Sequence, residues 1–236
     1  MEKDKADILG SIKFALLVGL VPCIVYFIEF LINIDLSFLG ILSRHTSGLK
    51  GIIFGPLVHG SISHLFSNLP PLMFSVFLIH FFYRRQFWSI FLSSYIITGI
   101  MVWLFSREVY HIGASGVVYA LVAFIFWAGI FVRNITSIIL ALLVLVVYSG
   151  MFAGIVPSPD ILEKNISWES HLLGGLVGIT VAWIFRESII RDHISKKKPL
   201  SYAVEEVRSH YFPSDTFEKT KWEKYQEEQQ SRIDQQ

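Results

Sequence analysis

Long apolar runs with few charges constrain this chain more than any other feature. Residues 14–34, FALLVGLVPCIVYFIEFLINI, contain a single charged side chain, Glu29. A helix of about 20 apolar residues crosses the roughly 30 Å hydrocarbon core of a bilayer. Only 17% of the 236 residues are charged and the mean hydropathy is +0.54, whereas a soluble domain has about a quarter of its residues charged. The sequence therefore predicts an all-α, polytopic membrane protein.

Six apolar runs are predicted as membrane spans, and together they define a membrane domain over residues 14–190. A short N-terminal segment, 1–13, precedes this domain, and a polar tail, 191–236, follows it. The tail has only scattered apolar residues, so we expect it to be soluble and helical in part near its end. The predicted spans are Phe14–Ile34, Ile62–Tyr83, Trp88–Phe105, Ser115–Val132, Thr136–Phe152 and His171–Phe185.

Basic residues are unevenly distributed between the two sides of the predicted bundle. Six spans put both termini on one side, and most Lys and Arg fall there. Because positive residues favour the cytoplasmic side, we predict cytoplasmic termini in a cell or plasma membrane. The net charge of +1 gives no reason to expect a nucleic-acid partner. The N-terminal side holds Lys3, Lys5, Lys13, Arg84, Arg85, Arg133, Arg186, Arg191 and Lys196–Lys198, and the opposite side holds Arg44, Lys50, Arg107 and Lys164.

The polar stretch HGSISHLFSN, residues 59–68, covers the start of the second predicted span and the residues just before it. His64 and Asn68 are four apart and share one helical face, while His59 lies in the preceding loop. Polar groups at membrane depth are costly and often functional, but His and Asn also form structural hydrogen bonds between helices. No His-Glu-x-x-His motif is present and no carboxylate lies near these histidines in the sequence, so we predict no metal ion.

Ser115, in the stretch HIGASG at 111–116, begins the fourth predicted span. The unpaired N–H groups at a helix N-terminus stabilise negative charge. The Gly-x-Ser-x-Gly pattern of soluble hydrolases is not met, because position 117 is Val and no strand is predicted before the serine. Taken alone, Ser115 is either a nucleophile or a small residue that lets two helices pack.

His171 begins the sixth predicted span, and Gly174 and Gly178 lie on its face. Glycines allow a neighbouring helix to approach closely, and the serine helix as that neighbour would bring His171 within reach of Ser115. A structural histidine at a helix start is the alternative. The polar residues of the second, fourth and sixth spans nevertheless share one depth, and a serine, a base and two hydrogen-bond donors in one layer describe a hydrolase site.

Together these motifs resemble the rhomboid family of intramembrane serine proteases. The matches are His-x4-His-x3-Asn at 59–68, Gly-x-Ser-Gly at 113–116 and His-x2-Gly-x3-Gly at 171–178, in the family's order. The resemblance covers roughly residues 14–190 and implies a six-helix rhomboid-like bundle. It also implies cleavage of single-span membrane proteins near the outer membrane surface, with membrane lipid and such substrates as partners and with no cofactor.

The resemblance assigns a role to each motif residue. Ser115 takes the place of the nucleophile and His171 that of the general base, so we expect a dyad. Asn68 and His64 take the places of the oxyanion donors, together with the backbone N–H of Ser115. The supporting residues are His59 behind the first loop, Tyr119 beside the histidine, Gly113 and Gly116 in the serine motif, and Gly174 and Gly178 between the fourth and sixth spans.

One departure concerns the first outer loop, which has Arg44 but no tryptophan of the Trp-Arg pair found in many rhomboids. The anchorage of this loop is therefore open. Two other functions compete with proteolysis. A catalytically inactive rhomboid-like chaperone or binding protein would lack the serine or the sixth-span histidine. A transporter would carry polar residues through the inner halves of the spans, which here are almost purely apolar.

Overall fold

A computed structural model describes residues 2–133, 135–149, 154–155, 167–196 and 219–234. Within these ranges two short strands, β1 (Ile41–Leu42) and β2 (Tyr110–His111), pair antiparallel. The rest of the regular structure is helical. The helices are α1 (Glu2–Ile32), α2 (Gly51–Phe54), α3 (Ile62–Phe82), α4 (Phe87–Phe105), α5 (Ser115–Val132), α6 (Ile135–Val147), α7 (Trp168–Lys196) and α8 (Lys221–Ile233).

Five helices in the described part of the chain are long and apolar enough to cross a membrane, namely α1, α3, α4, α5 and α7. They confirm five of the six predicted spans. The remaining one, Thr136–Phe152, corresponds to α6, which is shorter than a full crossing needs, and its last residues lie outside the described ranges. The six-span count therefore stays a prediction.

Two of the spanning helices are longer than their apolar runs. Helix α1 begins at Glu2 instead of Phe14, and α7 extends from Trp168 to Lys196 instead of ending near Phe185. Lys and Glu are good helix formers, so the backbone ladder continues beyond the segment that hydropathy identifies. Hydropathy therefore gave the existence of these helices but not their ends.

Helix α5 lies at the centre of the helical bundle. Its residues Leu121, Phe124 and Ile125 are fully buried, as are Ile79 of α3 and Val181 of α7. Apolar burial alone does not hold helices together in lipid, where packing contacts and close backbone approach contribute most. The packing around α5 must therefore be specified by side-chain size.

Glycines on α7 allow the backbones of α5 and α7 to touch. A Cβ atom at Gly174 would overlap the carbonyl of Gly116, and one at Gly178 would overlap the carbonyl of Ala120. These contacts fix the first three turns of α7 against the first two turns of α5. The next residue, Gly175, faces open space and has no heavy atom within 4 Å of such a Cβ.

The loop between α1 and α3, which the sequence predicts on the outer side, is anchored by α4. Trp103 donates from Nε1 to the carbonyl of His45 at 2.8 Å, and its own carbonyl accepts the Arg44 N–H at 2.9 Å. The Arg44 guanidinium donates to the carbonyl of Ser106 at 2.7 Å. The pairing of β1 with β2, with Ile41 opposite His111, adds to these contacts. Trp103 of α4 therefore contacts this loop, which lacks the tryptophan of the Trp-Arg pair found in many rhomboids.

The chain divides into two compact units, Met1–Asp192 and His193–Gln236. In the second unit, α8 begins with a capping box in which Thr220 Oγ1 accepts the Glu223 N–H at 3.3 Å and the Glu223 carboxylate accepts the Thr220 N–H at 2.7 Å. Helix α8 confirms the helical segment predicted near the end of the tail. Residues 197–218 of that tail lie outside the described ranges.

The glycine contacts lead to a prediction with an internal control. Gly174→Ala should lower the melting temperature in detergent, because the added methyl meets backbone that cannot rotate away. Overpacking of this kind costs about 1–3 kcal/mol. Gly175→Ala adds the same methyl one residue along in open space, and it should be neutral or slightly stabilising, since alanine is favoured in helices by up to about 1 kcal/mol. Equal melting temperatures for the two variants would contradict the contact.

Candidate active site

Ser115 and His171 meet at the N-terminal ends of two helices. Ser115 is the first residue of α5 and His171 lies in the first turn of α7. The Ser115 Oγ and His171 Nε2 atoms are 2.9 Å apart, within hydrogen-bonding distance. His171 is buried, at 8% exposure, while Ser115 is half-buried. The pair is thus shielded on the imidazole side and more open at the hydroxyl.

The second ring nitrogen of His171 determines the direction of that hydrogen bond. Nδ1 lies 2.9 Å from the carbonyl oxygen of Gly154. A carbonyl can only accept, so Nδ1 carries the proton of the neutral ring. Nε2 is then left with its lone pair and accepts from the Ser115 hydroxyl. This tautomer can take a proton from the serine, as a general base must.

Tyr119 fixes the plane of the imidazole. It lies one turn after Ser115 on α5, and its ring stacks on His171 with 4.2 Å between centroids and 11° between planes. With the Gly154 carbonyl on one edge of the ring and Tyr119 on its face, the orientation of His171 is set by two independent contacts.

A carboxylate close in sequence has another partner. Glu169, two residues before His171, pairs with Arg107 through Oε1 and Nε at 3.1 Å. The described partners of the His171 ring are the serine hydroxyl, a backbone carbonyl and an aromatic face. Among the described residues, the His171 ring is therefore hydrogen-bonded to one serine and one main-chain acceptor.

His59 supports the residue before the serine. It is fully buried, its Nδ1 donates to the Leu57 carbonyl at 3.2 Å, and its Nε2 accepts the Ala114 N–H at 3.4 Å. Burial, together with the nearby His64, lowers the pKa of His59 to about 4. The ring is therefore neutral at physiological pH, as an acceptor nitrogen requires.

His64 and Asn68 lie one turn apart at the start of α3. His64 is half-buried and its ring borders Gly113, where a Cβ would be 2.6 Å from both Cε1 and Nε2. Gly113 itself has φ +99°, a conformation that favours glycine. Asn68 is buried and donates one amide hydrogen to the His64 carbonyl at 2.9 Å. Its amide has a second hydrogen that can serve another acceptor.

The first turn of α5 contributes backbone donors to the same place. Val118 makes the first intrahelical bond, to Ala114 at 2.9 Å, so the N–H groups of Ser115, Gly116 and Val117 have no intrahelical acceptor. They add positive potential at the helix N-terminus. The His64 ring, which borders Gly113, and the main-chain donors of α5 therefore both lie next to the serine motif.

The sequence motifs did not reveal the carbonyl of Gly154, which orients the His171 ring. Every residue has a carbonyl, so this acceptor leaves no residue-type signal, and it lies 17 residues before His171 in the chain. The motifs also gave no sign of the ion pair between Arg107 and Glu169. Both contacts become visible only when the loops are placed in three dimensions.

The apolar helices identify an integral, multi-pass membrane protein, and a hydrogen-bonded serine–histidine pair lies at the N-terminal ends of two of its helices. The Rhomboid domain family matches residues 46–188, more than half of the chain. The chain belongs to the rhomboid family, whose members are generally intramembrane proteases and in some cases are inactive.

Similar proteins occur in mycobacteria, where they are named as uncharacterised proteins. Proteins of Mycobacterium tuberculosis (strain H37Rv) and Mycobacterium bovis are each 33% identical over 153 residues, or 61% of this chain and 62% of the relative. A protein of Mycobacterium leprae is 31% identical over 153 residues, 61% of this chain and 59% of the relative. The match spans about three fifths of the length of these relatives.

The low pKa of His59 makes the stability of the protein depend on pH. Unfolding returns the ring to its ordinary pKa of 6.5, so the unfolded state binds a proton between about pH 6.5 and pH 4 that the folded state does not. His59 therefore contributes stability that is fully present above pH 6.5 and is lost as the pH falls through 4. The loss amounts to about 3 kcal/mol for this shift.

His59→Gln tests this effect, because its amide oxygen can still accept the Ala114 N–H but cannot titrate. The melting temperature of the wild type should fall between pH 6.5 and pH 4 more steeply than that of the variant. Other histidines titrate in both proteins, so the difference between the two slopes reports His59. Parallel slopes would show that His59 keeps an ordinary pKa in the folded protein.

Proposed function

We propose that this chain is an intramembrane serine endopeptidase that cleaves single-span membrane proteins with a Ser115–His171 dyad. The observation that carries the proposal is the 2.9 Å contact between Ser115 Oγ and His171 Nε2, with Nδ1 protonated by virtue of the Gly154 carbonyl. A serine hydroxyl is a weak nucleophile until a positioned base removes its proton. Membership of the rhomboid family supports the same activity.

In the proposed first step, Ser115 Oγ attacks the carbonyl carbon of the scissile peptide bond while Nε2 of His171 takes the hydroxyl proton. The imidazolium that forms stays bonded through Nδ1–H to Gly154 and stacked on Tyr119. It then gives its Nε2 proton to the leaving amine. The C–N bond breaks, and an acyl ester on Ser115 remains.

The tetrahedral oxyanion is proposed to lie among three sets of donors. These are the amide of Asn68, the ring of His64 and the N–H groups at the start of α5. Preorganised donors of this kind are most effective where water is excluded. Asn68 is already oriented by its bond to the His64 carbonyl, so little reorganisation is needed as the charge develops.

Water completes the cycle by attacking the acyl ester, with His171 taking its proton and returning it to Ser115. Ser115 and His64 are each half-buried, and both lie where their helices begin. This placement supports entry of water from that end of the bundle. The basic residues at the other end favour the cytoplasm, so we place the site near the outer surface of a plasma membrane.

Substitutions separate the dyad from the oxyanion donors. Ser115→Ala and His171→Ala should each abolish cleavage of a model single-span substrate, since each removes a chemical step. Asn68→Ala should slow cleavage by about 10²–10³, the usual loss for one oxyanion donor. His64→Ala should act in the same direction, and the double variant should fall short of the product of the two single effects, because both groups act on one oxyanion.

Ser231→Ala is the matched control for the serine substitution. Its hydroxyl is exposed on α8 and donates to the Glu228 carbonyl, so this variant should cleave at the wild-type rate. Melting temperatures must match across the series before rates are compared. Full activity of Ser115→Ala in that series would exclude the proposed nucleophile and favour a binding protein on the same fold.

Orientation can be tested independently of catalysis. With the single cysteine, Cys23, replaced by serine, a reporter cysteine is introduced at Gln230 in the tail. If both termini are cytoplasmic, a membrane-impermeant maleimide should label this cysteine only after the cells are opened. Labelling in intact cells would reverse the orientation and place the Ser115 end of the bundle on the inner side.

A further inference from the structure

A buried chain of polar side chains lies beside the proposed dyad and is not used by it. Its members are Ser43, Ser106, His111, Ser167 and Ser170, which we call the His111 cluster. Ser43, Ser106 and His111 are almost completely buried, with 0%, 1% and 4% of their surfaces exposed, and Ser170 is buried as well. Buried polar groups are costly unless they are hydrogen-bonded, so such a continuous chain needs an explanation.

The hydrogen bonds of the cluster have a definite direction. His111 Nε2 lies 3.0 Å from the Arg107 carbonyl and 2.8 Å from Ser106 Oγ. The carbonyl can only accept, and the Ser106 hydroxyl donates to the Val102 carbonyl at 2.7 Å. Nε2 therefore carries the proton of the neutral ring, and Nδ1 accepts.

The acceptor nitrogen faces the start of α7. Nδ1 of His111 bonds to Ser167 Oγ, which therefore donates. The Ser170 hydroxyl in turn donates to both Ser167 Oγ and the Ser167 carbonyl, each at 2.7 Å. Burial lowers the pKa of His111, which keeps the ring neutral and Nδ1 free to accept. Of the charged groups near the ring, Arg107 favours and Glu169 opposes this state.

The cluster joins the two segments that carry the dyad. His111 lies in β2, four residues before Ser115, and Ser170 directly precedes His171. The ion pair between Arg107 and Glu169 makes a second bridge between the same segments. His111 itself is hydrogen-bonded to neither member of the dyad in the described structure, so any effect it has on them must pass through the backbone.

We propose that His111 is a positioning residue, whose bond to Ser167 holds the first turn of α7 so that His171 stays in register with Ser115. The proposal rests on the proteolytic function put forward above, although the tie between β2 and α7 exists without catalysis. A misplacement of about 1 Å between reacting groups costs on the order of 10²-fold in rate. Loss of the tie should lower kcat and leave KM unchanged, because His111 lies behind the dyad.

Two substitutions of His111 separate its two nitrogens. In His111→Asn the amide oxygen takes the position of Nδ1 and can still accept from Ser167. In His111→Gln the amide takes the position of Nε2, which keeps the contact with Ser106 but loses the one with Ser167. Both variants remove the titrating ring and keep a neutral polar group in the buried site, so they form a matched pair.

The experiment uses the full chain in detergent with a model single-span substrate. His111→Gln and Ser167→Ala should each lower kcat by about 10- to 100-fold at constant KM, while His111→Asn should stay within about threefold of the wild type. The double variant of His111→Gln with Ser167→Ala should be no slower than the worse single variant, because both remove one bond.

Amide hydrogen exchange supplies a readout that does not depend on catalysis. His111→Gln should speed exchange in a peptide covering the first two turns of α7, while a peptide from the start of α3 stays unchanged. Equal rates for His111→Gln and His111→Asn, additive effects in the double variant, or unchanged exchange in α7 would overturn the proposal. A wild type that cleaves nothing would overturn the proteolytic function instead, and the exchange result would still decide whether the tie exists.

Discussion

The contact between the backbones of α5 and α7 is the constraint on which the rest of the site depends. Ser115 and His171 are 56 residues apart in the chain, and they meet only because Gly174 and Gly178 let α7 rest directly on the carbonyls of α5. In lipid there is no large hydrophobic gain from bringing helices together. The geometry of the serine–histidine pair is therefore set by the sizes of a few side chains that take no part in hydrogen bonding.

Two main-chain groups hold side chains of the candidate site in place. The Gly154 carbonyl selects the tautomer of His171, and the Ala114 N–H is held by His59, so that the turn before Ser115 has a fixed shape. A backbone acceptor is a neutral dipole and adds no charge to the site. An ionised carboxylate beside the imidazole would have to be buried with it, which is expensive at membrane depth. The carboxylate that lies nearby in sequence, Glu169, is instead paired with Arg107.

The sequence predicted the parts of the fold and site that depend on residue type and spacing. Hydropathy located α3, α4 and α5 to within a residue or two, and the His, Ser and Gly motifs led to the family that the domain comparison confirms. What could not be predicted depends on distant pairings of common groups. The two-residue strands carry no periodicity, the bond from Trp103 to the His45 carbonyl joins residues 58 apart, and the cluster around His111 consists mainly of serines. Each needs the loops to be placed before it can be recognised.

The most direct test of the central claim is covalent labelling of the purified protein with a fluorophosphonate, followed by mapping of the adduct by mass spectrometry. A serine that His171 activates should react, so we expect a single adduct on Ser115 that is absent in His171→Ala. Matched reactivity of the wild type and His171→Ala, or an adduct on a different serine, would contradict the claim that the hydrogen bond between Ser115 and His171 activates a nucleophile.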